Sequence, residues 1–283
     1  MLDKLKKSIS LKTSSEEKKK FDQVFSKLFD QYGKSEDPWG LNIHKAKKSI
    51  EYVWPLYNNY FKVRVFGKEN VEDTPYMIIS NHTGQIAIDG MLISTAFAMD
   101  VDPPRILRAM VERFFTGLPF IGAWAAEGGA VLGDRQNCVK LLERNQSVLI
   151  FPEGVKGIAK STPDYYKVQS FTRGFFRIAL SSKAPILPVA VVGAEETFPY
   201  VYQAKGLAKL LGLPALPISP NYFPLPSPID IYIGKPYEIP EGLSADSPDK
   251  DIDKHIFELE NIVQTMINDG LKKRREFWGN VKK

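Results

Sequence analysis

One cysteine and three histidines are all this 283-residue chain has of the residue types that most often bridge chains or hold transition metals. A lone cysteine, Cys138, excludes an intrachain disulfide and fits a reducing compartment. No His/Cys cluster occurs at ligand spacing, so no metal is expected. No apolar run reaches the ~18 residues needed to span a bilayer. Residues 1–20 lack the apolar stretch of a secretory signal, which leads to the expectation of a cytoplasmic protein, still free to sit on a membrane. No basic run is interleaved with stacking aromatics, which argues against nucleic acid. No Gly-x-Ser-x-Gly elbow is present, which argues against an α/β serine hydrolase.

The charge that is present is unevenly placed. Residues 1–20 carry +4 and residues 271–283 carry +5, leaving about −4 on the body between them. Two basic ends around a mildly acidic body suit an anionic membrane surface, the alternative being solvated tails.

Hydrophobic periodicity divides the chain at about residue 60. Residues 1–20 read as a polar, poorly ordered arm. Phe21, Val24, Phe25, Leu28, Phe29 and Tyr32 form a helical stripe that ends at Gly33, and a second helix is predicted over about 41–60. Residues 1–60 are thus a basic arm with amphipathic helices, and 61–283 the main domain. In that domain, apolar segments predict strands at 62–66, 76–80, 105–110, 129–132, 147–151, 186–192 and 229–233, with helices at 86–99, 135–144 and 171–182 between them. This alternation predicts an α/β fold with a largely parallel central sheet flanked by helices. A last helix is predicted from Pro248 to about Phe277, with Ser247 as its N-cap. The Pro- and aromatic-rich stretch 197–228 interrupts the rhythm. It reads as a flap contacting an acyl chain or a membrane, or else as a packing loop.

Of the histidines, His44 and His255 lie on amphipathic helices among charged neighbours, where solvent-facing or capping roles are the default. His82 instead follows the predicted strand at 76–80, at the strand end where open α/β sheets place their sites; the alternative is a hydrogen-bonded loop histidine. Asp89, seven residues on, can orient an imidazole so that its other nitrogen serves as a base. Continuous helix would separate the two by ~10 Å, so pairing requires a turn, which Gly84 can supply. Phe151-Pro152-Glu153-Gly154 ends a second apolar strand and points to the same crevice, or forms a plain turn. Arg135, after Gly129–Gly133, opens a helix and has the planar fork suited to phosphate; otherwise it is a surface residue paired with Asp134 or Glu143. Residues 154–161 approach a phosphate loop ending in Lys160-Ser161. However, Ala159 stands where the second glycine belongs, and Pro163 disrupts the following helix.

Taken in order, NHTGQIAIDG (81–90), GAVLGDR (129–135), FPEG (151–154) and PILPVAVVG (185–193) resemble the four blocks of the glycerolipid acyltransferase family, across about residues 62–240. Six residues separate His82 from Asp89, where the usual family block has four. That form resembles a branch near the mono- and diacylglycerol acyltransferases and bacterial lysophospholipid acyltransferases. The resemblance implies direct transfer of a fatty acyl group from acyl-CoA or acyl-carrier protein to a lysophospholipid or related hydroxyl, without a cofactor, and the basic ends with the apolar 197–228 stretch add the separate expectation that this occurs peripherally at the cytoplasmic membrane face. It makes His82 the base and Asp89 its orienter, with Arg135, Phe151, Pro152, Glu153 and Gly154 at the substrate. The competing expectation is a catalytically inactive lipid-binding protein on the same scaffold.

Overall fold

The computed structural model describes residues 14–34, 36–83, 88–113, 120–199, 202–204, 206, 217–218 and 223–274. Helix α1 (Ser15–Tyr32) opens on a capping box. The Ser14 hydroxyl takes the Glu17 N–H and the Glu17 carboxylate takes the Ser14 N–H, satisfying two donors that helix ends leave free. The stretch read as an unordered arm is therefore helical from Ser15; residues 1–13 lie outside the described residues. The helix ends at Gly33, as the stripe predicts, and buries Phe21, Phe25 and Leu28. Helix α2 (Ile43–Pro55) is capped by the Asn42 side chain and continues past Pro55 into a single π-helical turn, Leu56–Tyr60.

The remaining elements follow in chain order as β1 (Arg64–Phe66), β2 (Met77–Ser80), α3 (Ile88–Met99), β3 (Arg108–Val111), α4 (Ile121–Glu127), β4 (Val131–Leu132), α5 (Arg135–Glu143), β5 (Val148–Ile150), α6 (Val155–Ile158), α7 (Gly174–Ser182), β6 (Ile186–Val192), β7 (Tyr202–Gln203), β8 (Pro217–Ile218), β9 (Asp230–Ile233) and α8 (Asp249–Lys272). Among the described residues seven strands form one sheet in the order β1-β9-β6-β2-β5-β3-β4, and β7 and β8 pair apart from it. Every pairing in the large sheet is parallel except β6 with β9. The chain is thus an α/β protein with a mostly parallel sheet, as predicted. The antiparallel entry of β9 leaves β1 and β9 running against the other five strands.

Side-chain alternation along the strands divides the core between two faces. On one face Ile78, Leu149, Leu187, Val189 and Val191 pack with Phe21, Phe25 and Leu28 of α1, Val53 and Trp54 of α2, and Leu92, Ile93, Ala96 and Phe97 of α3. The N-terminal helices therefore share a core with the sheet. On the other face Met77, Ile79, Val148, Ile186, Ala190 and Val192 pack with Leu141 and Leu142 of α5, Phe175, Phe176 and Ala179 of α7, and Ile252, Ile256, Leu259, Val263 and Ile267 of α8. Pro188 is tolerated inside β6 because it sits opposite Gly234, just past the end of β9, where it lacks an N–H to give but its carbonyl still accepts the Gly234 N–H at 2.8 Å.

Two local expectations need correction, and one helix was not expected at all. Helix α8 starts at Asp249, with Pro248 rather than Ser247 at the N-cap position. His255 is not solvent-facing: it is buried, stacked on Phe176, with Nδ1 2.7 Å from the Tyr237 hydroxyl. Helix α4 has no counterpart in the sequence reading. Of the 197–228 excursion, the described part includes β7, β8 and the exposed Tyr202, Phe223 and Leu225; the rest lies outside the described residues. No helix among the described residues is long and apolar enough to cross a membrane.

Candidate active site

Strands β2 and β5 are parallel neighbours, with Ile79 level with Ile150. Carried three residues on from that pair, beyond the ends of both strands, this register brings His82 level with Glu153. The crevice is therefore built where two adjacent parallel strands give out. Asn81 sets the exit of the chain from β2. It is fully buried; its Nδ2 donates to the Val191 carbonyl at 3.0 Å and its Oδ1 accepts the Val191 N–H at 2.8 Å. The side chain continues the β2–β6 ladder in place of backbone, so His82 is released from the sheet at a defined point. The sequence reading gave Asn81 no role.

His82 Nδ1 lies 2.6 Å from Asp89 Oδ2. The same carboxylate oxygen accepts the Thr83 N–H at 2.8 Å and the Thr83 hydroxyl at 3.0 Å, while Oδ1 accepts the Gly90 N–H at 2.7 Å. Asp89 is fully buried in the first turn of α3. Burial alone would raise its carboxyl, but the His82 ring and the Thr83 and Gly90 N–H groups outweigh it and hold the carboxyl below the usual carboxylate range. A deprotonated Asp89 makes Nδ1 the donor and leaves the Nε2 lone pair unencumbered. Nε2 has no hydrogen-bond partner among the described residues. The segment that makes this turn, including Gly84, lies outside the described residues.

The block after β5 surrounds the imidazole. The Phe151 ring stacks on the His82 ring with centroids 4.2 Å apart and an interplanar angle of 19°. Pro152 is buried and its carbonyl accepts the Thr172 N–H. Gly154 turns the chain at φ +55°, ψ −140°, a conformation that side-chain-bearing residues avoid. Glu153 is turned inward. One of its oxygens accepts the His82 backbone N–H at 3.0 Å and the other the Gln169 N–H at 3.1 Å. The short helix α6 then passes so close that a Cβ on Gly157 would lie 2.7 Å from the His82 Cβ and 2.9 Å from the Glu153 Cβ.

Lys160 follows α6. It is buried, with Nζ 2.9 Å from Glu153 Oε2, 3.1 Å from the His82 carbonyl oxygen and 3.4 Å from Glu195 Oε1. This orientation rules out the phosphate-loop reading, because the ammonium is already engaged inside the protein. Burial pushes the Glu195 carboxyl up to about 7, against the opposing pull of Lys160 and the Tyr166 N–H. Sequence reasoning missed Lys160 as a part of this site, and also Glu195 and Thr83.

Arg135 is not brought into this cluster. It opens α5 on the same carboxyl edge of the sheet, but β4 is the edge strand, three positions from β2, and one Arg135 amino group donates to Ser181 at 3.0 Å.

The profile of the Acyltransferase family matches residues 62–192. An uncharacterised protein of Mycobacterium tuberculosis is 34% identical over 261 residues, covering 87% of this chain and 72% of its own length. The chain belongs to the glycerolipid acyltransferase superfamily. A human DGAT1/2-independent enzyme synthesizing storage lipids is 26% identical over 206 residues, covering 71% of this chain and 62% of its own length. The crystal structure of the 1-acyl-sn-glycerophosphate (LPA) acyltransferase PlsC from Thermotoga maritima superposes with a TM-score of 0.54 at 18% identity, over 88% of this chain and 94% of PlsC. At that identity the likeness is one of fold. Acyl transfer in lipid metabolism is the activity this membership supports. In such an acyltransferase the four blocks fall on the elements described: β2 with α3, β4 with α5, β5 with α6, and β6.

Proposed function

We propose that this acyltransferase moves a fatty acyl group from a thioester, acyl-CoA or acyl-carrier protein, to a hydroxyl of a lysophospholipid or related glycerolipid at a membrane surface. The observation that carries this reading is the 2.6 Å contact of His82 Nδ1 with a buried carboxylate, which leaves Nε2 as the base. Nε2 takes the acceptor's proton as its oxygen attacks the thioester carbonyl carbon. The imidazolium that forms is stabilised by Asp89. When the tetrahedral centre collapses, the C–S bond breaks and Nε2 returns the proton to the departing sulfur. The new ester and the free thiol leave with His82 neutral again.

Phe151 forms one wall of the reaction site, and Pro152, Glu153 and Gly154 shape the loop that carries it. Arg135 supplies a guanidinium for a phosphate on the acceptor. Three strand spacings, about 14 Å, separate β4 from β2, a span that an extended arginine and the acceptor cover together. The membrane face is supported by α4, which follows the carboxyl end of β3. Phe120 at its cap is 91% exposed, and Ile121 and Trp124 are also exposed. Exposed apolar side chains on a helix that follows a sheet strand suit insertion among lipid head groups.

The test is consumption of acyl-CoA and acyl-carrier-protein thioesters against a panel of lysophospholipid, neutral glyceride and other hydroxyl acceptors, run beside His82→Ala. Wild type is expected to turn over at least one pair and His82→Ala none. A folded His82→Ala protein with undiminished turnover removes the imidazole from the mechanism. Lipid binding by the wild type without turnover of any pair favours the inactive scaffold.

A further inference from the structure

Beside the His82–Asp89 pair, Lys160, Glu153 and Glu195 form a cluster of three ionisable side chains buried together. An ion pair taken out of water is a poor source of stability, since desolvating both charges offsets most of their attraction. Apolar residues would fill the same space at lower cost, so the cluster is explained by what it holds. Glu153 accepts the backbone N–H of His82 at 3.0 Å, and Lys160 donates to the backbone carbonyl of the same residue at 3.1 Å. The two side chains then meet each other at 2.9 Å. Both polar groups of the His82 main chain are thus tied to a single ion pair. Beneath the residue, Gly157 packs against its Cβ. Asp89 fixes where the ring points, but a ring is only as well placed as the backbone that carries it.

We propose that Lys160 is a positioning residue for acyl transfer, holding the His82 main chain at its carbonyl while Glu153 holds it at its amide. This rests on the reading of His82 as the base. The third member, Glu195, is the looser partner at 3.4 Å. Burial favours its neutral form, which leaves Glu153 as the principal counter-ion of Lys160. Lys160 does not touch the reacting atoms; it acts through His82. Substrate affinity is therefore largely spared when it is lost, while the chemical step is not.

The experiment uses the full chain carrying Lys160→Met, which keeps most of the stem volume and removes the ammonium. It has two readouts: kcat and KM for the thioester, and the imidazole ¹⁵N resonances. With three histidines in the chain, the His82 signals are assigned by their loss in His82→Ala. The expected result is a kcat lower by about 10²-fold, the scale of a misplacement of about 1 Å, with KM within about threefold and the His82 nitrogens shifted from their wild-type tautomer pattern. A folded variant with wild-type kcat and unshifted His82 resonances overturns the proposal. Should Lys160→Met fail to fold, Glu153→Gln/Lys160→Met leaves neither charge buried alone and takes the same two readouts. The same losses are expected, and wild-type values for both overturn the proposal. If His82→Ala itself keeps turnover, the base assignment fails separately. The resonances then decide alone: shifted signals support the clamp and unshifted ones overturn it.

Discussion

At the scale of single residues, the site separates carboxylates by what each one faces. Asp89 meets one imidazole and N–H donors and stays ionised, whereas burial pushes Glu195 up to about 7 against the pull of Lys160, which Glu153 already engages. A carboxyl whose folded value lies above its unfolded one favours folding in its protonated form. Its contribution is fully present below about 4.5 and is lost as pH rises through 7. Glu195→Gln has no such loss. Between pH 5 and pH 8, urea unfolding of wild type is expected to lose on the order of 3 kcal/mol relative to the variant; parallel curves at both pH values would contradict it. Arg135 belongs to the same scale. Because it stands away from the His82 cluster, Arg135→Ala is expected to raise KM severalfold for phosphate-bearing acceptors and to leave neutral acceptors unaffected. An equal effect on both classes would remove the phosphate contact.

At the scale of elements, α6 is a platform one turn long. Its closest approach is at Gly157, where any side chain meets two Cβ atoms that have nowhere flexible to go. Gly157→Ala is expected to cost about 1–3 kcal/mol of stability, as overpacking does, and to lower kcat by about 10²-fold through His82. A melting curve read with steady-state kinetics separates the two effects, and unchanged kcat would show that His82 accommodates the methyl. Elements were legible in the sequence where one pattern dominated. Strand β6 falls on its predicted residues because an unbroken apolar run between Ala184 and Gly193 admits little else. The start of α1 was hidden because Ser14 and Glu17 sit in a lysine-rich stretch that resembles an unordered arm. Helix α4 was invisible because Phe120–Ala126 is apolar on every side and carries no helical period. Asn81, Lys160 and Glu195 were illegible for a different reason. Asn81 reaches Val191, Lys160 reaches the His82 carbonyl and Glu195 reaches Lys160 across 110, 78 and 35 residues, and no local pattern encodes such distances, although Glu153 lies only seven residues from Lys160.

At the scale of the whole molecule, basic ends flank a mildly acidic body, and α4 turns Phe120, Ile121 and Trp124 outward. Flotation with anionic liposomes is expected at low salt and to weaken at high salt, as screening shortens the reach of the charged ends. Phe120→Glu/Trp124→Glu is expected to abolish the salt-resistant fraction. A wild-type protein that stays with the soluble fraction at low salt would count against action at a membrane surface.

The placement of β1 in the sheet has a consequence for biosynthesis. Its partner in the sheet is β9, and the Arg64 guanidinium is closed by Asp230, 166 residues further on. At about 5–20 residues per second of translation, a nascent chain waits on the order of 10–30 s between making one edge of that pair and making the other. During this interval residues 64–66 emerge with no neighbour to hydrogen-bond. Ribosome-bound chains halted before residue 230 should leave this segment open to protease while the β2–β5–β6 centre is already shielded, so the register of the finished edge is decided last.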